Sequence, residues 1–174
     1  MRWRLQFIRS VFHRATDYDV STPPGEGHIA GWLKGQRPRG TLDMKQVVAA
    51  LIWKDGKILI CQRTRHQVMP LKWEFPGGKI EEGEQPRDAL RRELDEELGI
   101  TAVIGDEVAR IRHEYPNHSS VELRFYSVHE YSGEMENRIF RDMRWAPPSE
   151  LPGFDFLEAD LTLVKDLASG KFAG

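Results

Sequence analysis

The chain has one cysteine, Cys61, in 174 residues. An internal disulfide is excluded, and so is a thiolate zinc site, which needs at least two such ligands; secreted disulfide scaffolds and zinc ribbons drop out with them. No apolar run approaches the roughly 18 residues that a membrane-spanning helix requires. Charge of one sign is missing as well: 25 Lys and Arg face 27 Asp and Glu, a formal net charge of −2, so the chain as a whole offers no electrostatic attraction to nucleic acid and no stable nucleic-acid binding is expected. Internal repeats and low-complexity tracts are also absent. What remains is 40% hydrophobic and 30% charged, the composition of a soluble, cytoplasmic protein with a single core.

The charges are unevenly placed. Met1 to Lys45 carries eight basic residues (Arg2, Arg4, Arg9, Arg14, Lys34, Arg37, Arg39, Lys45) against four acids (Asp17, Asp19, Glu26, Asp43), whereas Pro76 to Ile100 has four basic residues against eight acids. Within Met1 to Arg14, Trp3, Phe7 and Val11 are four apart, with Leu5, Ile8 and Phe12 interleaved, the spacing of a short amphipathic helix. Arginines interrupt every stretch that could serve as a secretory signal. Such an arm suits docking through residues 1–16 onto its own domain, a second subunit of a homodimer or a membrane surface, with disorder as the alternative. Ser21 to Gly40, rich in Pro and Gly, reads as a linker. The division expected is therefore an extension over residues 1–42 and a domain over residues 43–174.

In the domain, the apolar run Val47 to Trp53 predicts a strand covered on both faces, Lys54-Asp55-Gly56 a turn, and Ile58 to Cys61 the returning strand. Trp73-Glu74-Phe75 is a short extended piece closed by Pro76-Gly77-Gly78. A helix is expected from Pro86 to Leu98, with proline at its start and Gly99 past its end. Strands follow around 108–115 and 121–131, flanking the turn-prone Pro116-Asn117-His118-Ser119, and a last helix runs from Ala159 to about Ala168. Strands and helices do not alternate strictly, so the fold class is α/β with a mixed sheet.

The chemistry concentrates in the helix of residues 86–98. At about 100° per residue, Glu93, Glu96 and Glu97 share an arc beside the apolar stripe Leu90, Leu94 and Leu98, at the rim where helix meets body. Like charges at that spacing repel by a few tenths of a kcal/mol each, a cost that a bound cation offsets. An all-oxygen set selects hard ions, Mg²⁺ or Mn²⁺. Arg92 stands one turn before Glu96 and can pair with it. The alternative is an ordinary solvated acidic face. Ahead of the helix, Gly77, Gly78 and Gly83 permit a tight turn whose backbone can approach a metal or phosphate.

Gly78, five residues, Glu84, seven residues, then Arg92-Glu93-Leu94-Asp95-Glu96-Glu97-Leu98-Gly99-Ile100 resembles, without mismatch, the signature of the Nudix hydrolases. Seven fixed and two aliphatic positions coincide by chance about once in a billion windows at average residue frequencies. Trp73 to Lys79 is similar to the MutT branch, the nucleoside triphosphate pyrophosphohydrolases, and the resemblance covers roughly Lys45 to Ala168. It implies an α/β/α sandwich around a mixed sheet, and hydrolysis of nucleoside triphosphates to monophosphate and pyrophosphate. It further implies that Glu93, Glu96, Glu97 and the Gly77 carbonyl hold the divalent cations, that Arg92 orients a catalytic glutamate, and that Glu93 or Glu97 is the general base. A strand position in some relatives corresponds to His129. Glu84 is implied as an outer carboxylate or helix cap, and Gly78 and Lys79 as phosphate neighbours. Arg63 and Phe75 would border the nucleobase. Asp160 would meet the base edge where MutT enzymes for oxidised guanine nucleotides carry asparagine. An ionised carboxylate only accepts, which suits an exocyclic amine such as that of cytosine; a protonated one also donates. A plain helix cap is the alternative at Asp160. Two other functions share the same hydrolytic helix or fold: cleavage of a dinucleoside polyphosphate or nucleotide sugar, and nucleotide sensing without cleavage.

Overall fold

The apolar run near residue 50 sorts its side chains strictly by parity. Val48, Ala50 and Ile52 enter one buried cluster, and Ala49 and Leu51 enter another on the opposite face. A strand sheathed on both sides needs a layer on each, and two helices supply them. In the computed structural model, which describes residues 44–116 and 120–172, the strands are β1 (Lys45–Lys54), β2 (Lys57–Gln62), β3 (Trp73–Glu74), β4 (Gly77–Lys79), β5 (Thr101–Val103), β6 (Glu107–Glu114), β7 (Ser120–Val128), β8 (Glu130–Ser132) and β9 (Asp142–Ala146). The helices are α1 (Pro86–Leu98) and α2 (Leu161–Ala168), the latter preceded by a 3-10 turn at Glu158–Asp160. The amphipathic helix, the linker and the docking arm expected in residues 1–42 lie outside the described residues, as does most of the turn at 116–119.

The main sheet runs β3-β2-β1-β7-β6, with β4 also on β1 and β9 also on β2. β1 and β7 are parallel from Lys45↔Val121 to Ile52↔Val128, and the other pairs are antiparallel, so the sheet is mixed as expected. Leu90, Leu94 and Leu98 of α1 are fully buried on the face of Val48, Ala50 and Ile52. Leu163, Val164 and Leu167 of α2 cover the face of Ala49, Leu51 and Phe125. The predicted stripe thus faces the core, and the sandwich has its three layers. Among the described residues, no helix is long and apolar enough to cross a membrane.

Local signals explain the elements that were anticipated. Asp55 and Gly56 both take positive φ (50° and 71°), the two-residue hairpin geometry that matches strand twist. α1 begins at Pro86, whose missing N–H would be unpaired in the first turn anyway. It ends at Gly99, left-handed at φ 69°, whose N–H returns to the Asp95 carbonyl at 2.9 Å. The expected strand 121–131 is broken after Val128, its tail forming β8 against β5. β9 was not anticipated; its residues alternate too weakly between buried and exposed to read as a strand.

Pro76-Gly77-Gly78 does not simply close the extended piece. Its glycines form β4 and pair with β1 at Ala49↔Gly77 and Val48↔Gly78. The two backbones pass so closely at Gly77 (φ 148°) that any Cβ would strike the Val48 carbonyl oxygen and the Ala49 Cα. At Gly83 (φ 80°) a Cβ would meet nothing. Gly83→Ala should therefore cost only the left-handed strain of about 1–2 kcal/mol. Gly77→Ala, which adds a backbone clash, should lose at least twice that in urea unfolding.

Candidate active site

α1 points its acids past the edge of the buried stripe to three different environments. Glu97 is only 7% exposed, and its Oε2 accepts the Gly77 N–H at 3.0 Å, tying α1 to β4. Burial first, then the nearby charges of Glu74 and Glu93, push its carboxyl well above the ordinary range. Glu93 is half-buried, with its carboxyl set against Gly78, where a Cβ would collide with it. Its carboxyl is also raised, chiefly by desolvation, while Arg92 opposes the shift. Glu96 keeps 59% of its side chain exposed.

Arg92 organises the rim. Its Nε and Nη2 grip Glu84 in a two-pronged pair at 3.0 Å each, Nη2 also donates to the Lys79 carbonyl at 3.1 Å, and Nη1 donates to Glu93 Oε1 at 2.7 Å. Glu96 is the weaker contact, at 3.7 Å. The pairing expected with Glu96 is thus secondary, and the guanidinium serves Glu93 first. Glu84 is not a cap: Gln85 holds that position without a side-chain bond, and Glu84 instead anchors Arg92, with its own carboxyl lowered mainly by that bond. The side chain of Lys79 is exposed, and His129 stacks on Trp53 with ring centroids 6.4 Å apart.

Among the described residues, no three His, Cys, Asp or Glu side chains stand gathered as a ready cation cage. The donor set nevertheless fits a hard divalent ion. Four carboxylates, Glu74, Glu93, Glu96 and Glu97, act on one another, and the most buried of them has a single amide to offset its charge.

A second cluster lies beyond β3. Arg63 pairs with Glu74 at 2.6 Å and donates Nε to the Val68 carbonyl at 2.8 Å, pinning the loop after β2. Residues 155–157 run along Trp73, with Trp73 N–H on the Asp155 carbonyl and Leu157 N–H on the Trp73 carbonyl, which delivers Asp160 to this end of the sheet. Asp160 is 2% exposed and makes no capping hydrogen bond, so the plain-cap alternative is set aside. Desolvation, then the Glu74 charge, raises its carboxyl well above the usual range, with Arg63 opposing. Tyr115 borders the same carboxylates and is raised first by burial, then by Asp160 and Glu158. Phe75 departs from expectation: it is buried in the core against Phe125 and Phe156, with centroids 6.0 and 5.3 Å away, and offers no open face to a ligand. Glu74 and Tyr115 are the residues that sequence reasoning missed. The Arg63 partner, Glu74, sits inside the quoted Trp73-Glu74-Phe75, but nothing in a single sequence announces its pairing across eleven residues.

A family model for the NUDIX domain matches residues 47–166. The CTP pyrophosphohydrolase of Escherichia coli (strain K12) is 37% identical over 124 residues, 71% of this chain and 91% of that protein. A putative 8-oxo-dGTP diphosphatase 2 of Mycobacterium tuberculosis (strain ATCC 25618 / H37Rv) is 38% identical over 125 residues, 70% of this chain and 86% of that protein. The solution structure of the E. coli ORF135 protein superposes with a TM-score of 0.69 at 36% identity, covering 79% of this chain and 97% of that one.

The raised Glu97 carboxyl makes a signed prediction. Without a cation, the folded chain retains that proton at pH values where the unfolded chain has released it. Its stabilising contribution is therefore complete below the ordinary carboxylate range and is lost as pH rises through the raised value. Glu97→Gln, which cannot ionise and keeps an oxygen for Gly77, should melt higher than the parent at pH 8 in chelator. The two should converge near pH 4.

Proposed function

The chain belongs to the Nudix family and is a hydrolase of phosphorus anhydrides, and from that premise we propose that it cleaves nucleoside triphosphates to monophosphate and pyrophosphate with Mg²⁺ as cofactor, Mn²⁺ substituting. The observation that carries the reading is the buried Glu97 carboxyl held against the Gly77 N–H with Glu93 beside it and Arg92 behind. Glu93, Glu96, Glu97 and the Gly77 carbonyl would hold the divalent cations. Such ions supply neutralisation of the polyphosphate and stabilise the charge growing on the departing pyrophosphate.

The chain's own residues do the rest. Glu84 locks the Arg92 fork, and Arg92 in turn fixes one oxygen of Glu93, leaving the other to face the reacting water. With Arg92 on one oxygen of Glu93, Glu93 or Glu97 takes the proton of the attacking water. Water adds to phosphorus, the bond to the bridging oxygen breaks, and pyrophosphate leaves. Gly78 and Lys79 flank the phosphates from β4.

At the other end, Arg63 and Asp160 face the nucleoside, with Glu74 between the two halves of the site. A protonated Asp160 both donates and accepts, matching a base edge that pairs an exocyclic amine with a ring nitrogen, as cytosine does. The names of the relatives, one for CTP and one for 8-oxo-dGTP, bracket that preference. An intact set of acids favours hydrolysis over sensing. The proposed substrates are nucleotides of the cytoplasm, which is the proposed place of work.

A panel of normal, methylated and oxidised nucleoside triphosphates, read by pyrophosphate release, tests the reaction. Turnover of at least one should require Mg²⁺ and stop with EDTA, and Glu97→Gln should lower kcat by about a hundredfold or more. Asp160→Ala should raise KM for the preferred triphosphate about tenfold, the worth of one buried hydrogen bond, and flatten base preference while kcat moves less than threefold. An unchanged preference profile would remove Asp160 from base recognition.

A further inference from the structure

The last turn of α1 holds Asp95, Glu96 and Glu97 at the negative end of the helix dipole, and the helix has no basic residue in that turn. The charges of such an end repel, and of its final carbonyls Gly99 serves only that of Asp95, through its N–H. The segment between β8 and β9 adds donors to the carbonyls of Asp95, Glu97 and Leu98. Arg138 Nη1 donates to the Asp95 carbonyl at 2.6 Å, the Arg138 backbone N–H donates to the Glu97 carbonyl at 3.1 Å, and the Glu136 N–H donates to the Leu98 carbonyl at 2.9 Å. Arg138 Nε is steadied by Glu136 Oε2 at 3.1 Å. Asn137 braces the loop from within, its Oδ1 receiving the Phe140 N–H at 2.9 Å and its Nδ2 donating to the Phe140 carbonyl at 3.0 Å. The guanidinium crosses Gly99 so closely that any Cβ there would collide with it. Gly99 thus serves twice, through its left-handed φ and by leaving room for Arg138.

We propose that Arg138 is a positioning residue for the divalent-cation site: by holding the last turn of α1 closed from outside the helix, it fixes the directions in which Glu96 and Glu97 project. The inference rests on the cation reading given above. Two effects of Arg138 oppose each other. Its positive charge repels a cation, while its grip on the turn preserves the ligand arrangement. The side chain is 43% exposed, so its repulsion is screened by solvent and salt, whereas a frayed turn loses the whole arrangement; the grip dominates.

The test compares the parent with Arg138→Ala and Arg138→Gln in two nucleotide-free measurements: Mn²⁺ binding by calorimetry, and amide hydrogen exchange at Leu98 and Gly99 in chelator. Arg138→Ala should bind Mn²⁺ about tenfold more weakly. Its amides at those positions should exchange faster. Arg138→Gln keeps a donor for the Asp95 carbonyl and should recover most of the affinity. Parental or tighter Mn²⁺ binding in Arg138→Ala overturns the proposal. If that variant does not fold, Arg138→Met, which keeps the stem but loses the donor to the Asp95 carbonyl, takes its place, and parental or tighter binding in it does the same. A parent protein that binds no Mn²⁺ overturns the cation reading itself. A parent that binds normally beside an unaffected variant overturns only the role of Arg138.

Discussion

The structure turns on one approach of backbone to backbone, where β4 crosses β1 at Gly77. That crossing aims the Gly77 N–H at Glu97, and the single hydrogen bond lets a helix bury an acid at its rim. Without it the last turn of α1 would carry a buried carboxyl with no hydrogen-bond partner, at a cost of about 1–3 kcal/mol. The other features follow from the same contact. Glu93 fits against Gly78 because α1 lies so close to β4, and Arg92 can reach the Lys79 carbonyl and Glu84 together because β4 leads straight into the loop before the helix.

The site is therefore a chain of dependencies more than a set of independent ligands. Glu84 holds Arg92, Arg92 holds Glu93, and Glu74 links the acids of α1 electrostatically to Asp160 at the far cluster. Each raised carboxyl is raised first by loss of water and only then by its neighbours, so the shape of the fold, more than any one charge, sets the protonation states.

Much of this was legible in the sequence because it is local. Parity in β1, the Asp55-Gly56 hairpin, the span of α1 between Pro86 and Gly99, and the acids sharing an arc with the leucine stripe all depend on residues within a few positions of one another. What escaped depends on distant partners. β4 looked like a turn because its glycines, needed for close approach to β1, are also turn residues. β9 lacks the alternation of a half-buried strand, and the pairing of Arg63 with Glu74 is made only by the β2–β3 register. Phe75 illustrates the reverse error, since a conspicuous ring beside the glycines belongs to the core.

The parallel pairing of β1 with β7 has a consequence for biogenesis. β1 cannot acquire that neighbour until Val128 has left the ribosome, some seventy-five residues after Ile52. During that interval an apolar ribbon waits with one hydrogen-bonding edge open, and such long-range pairing is slow to form. A nascent chain stalled before β7 would be inactive and adhesive, a substrate for chaperones instead of a partial enzyme.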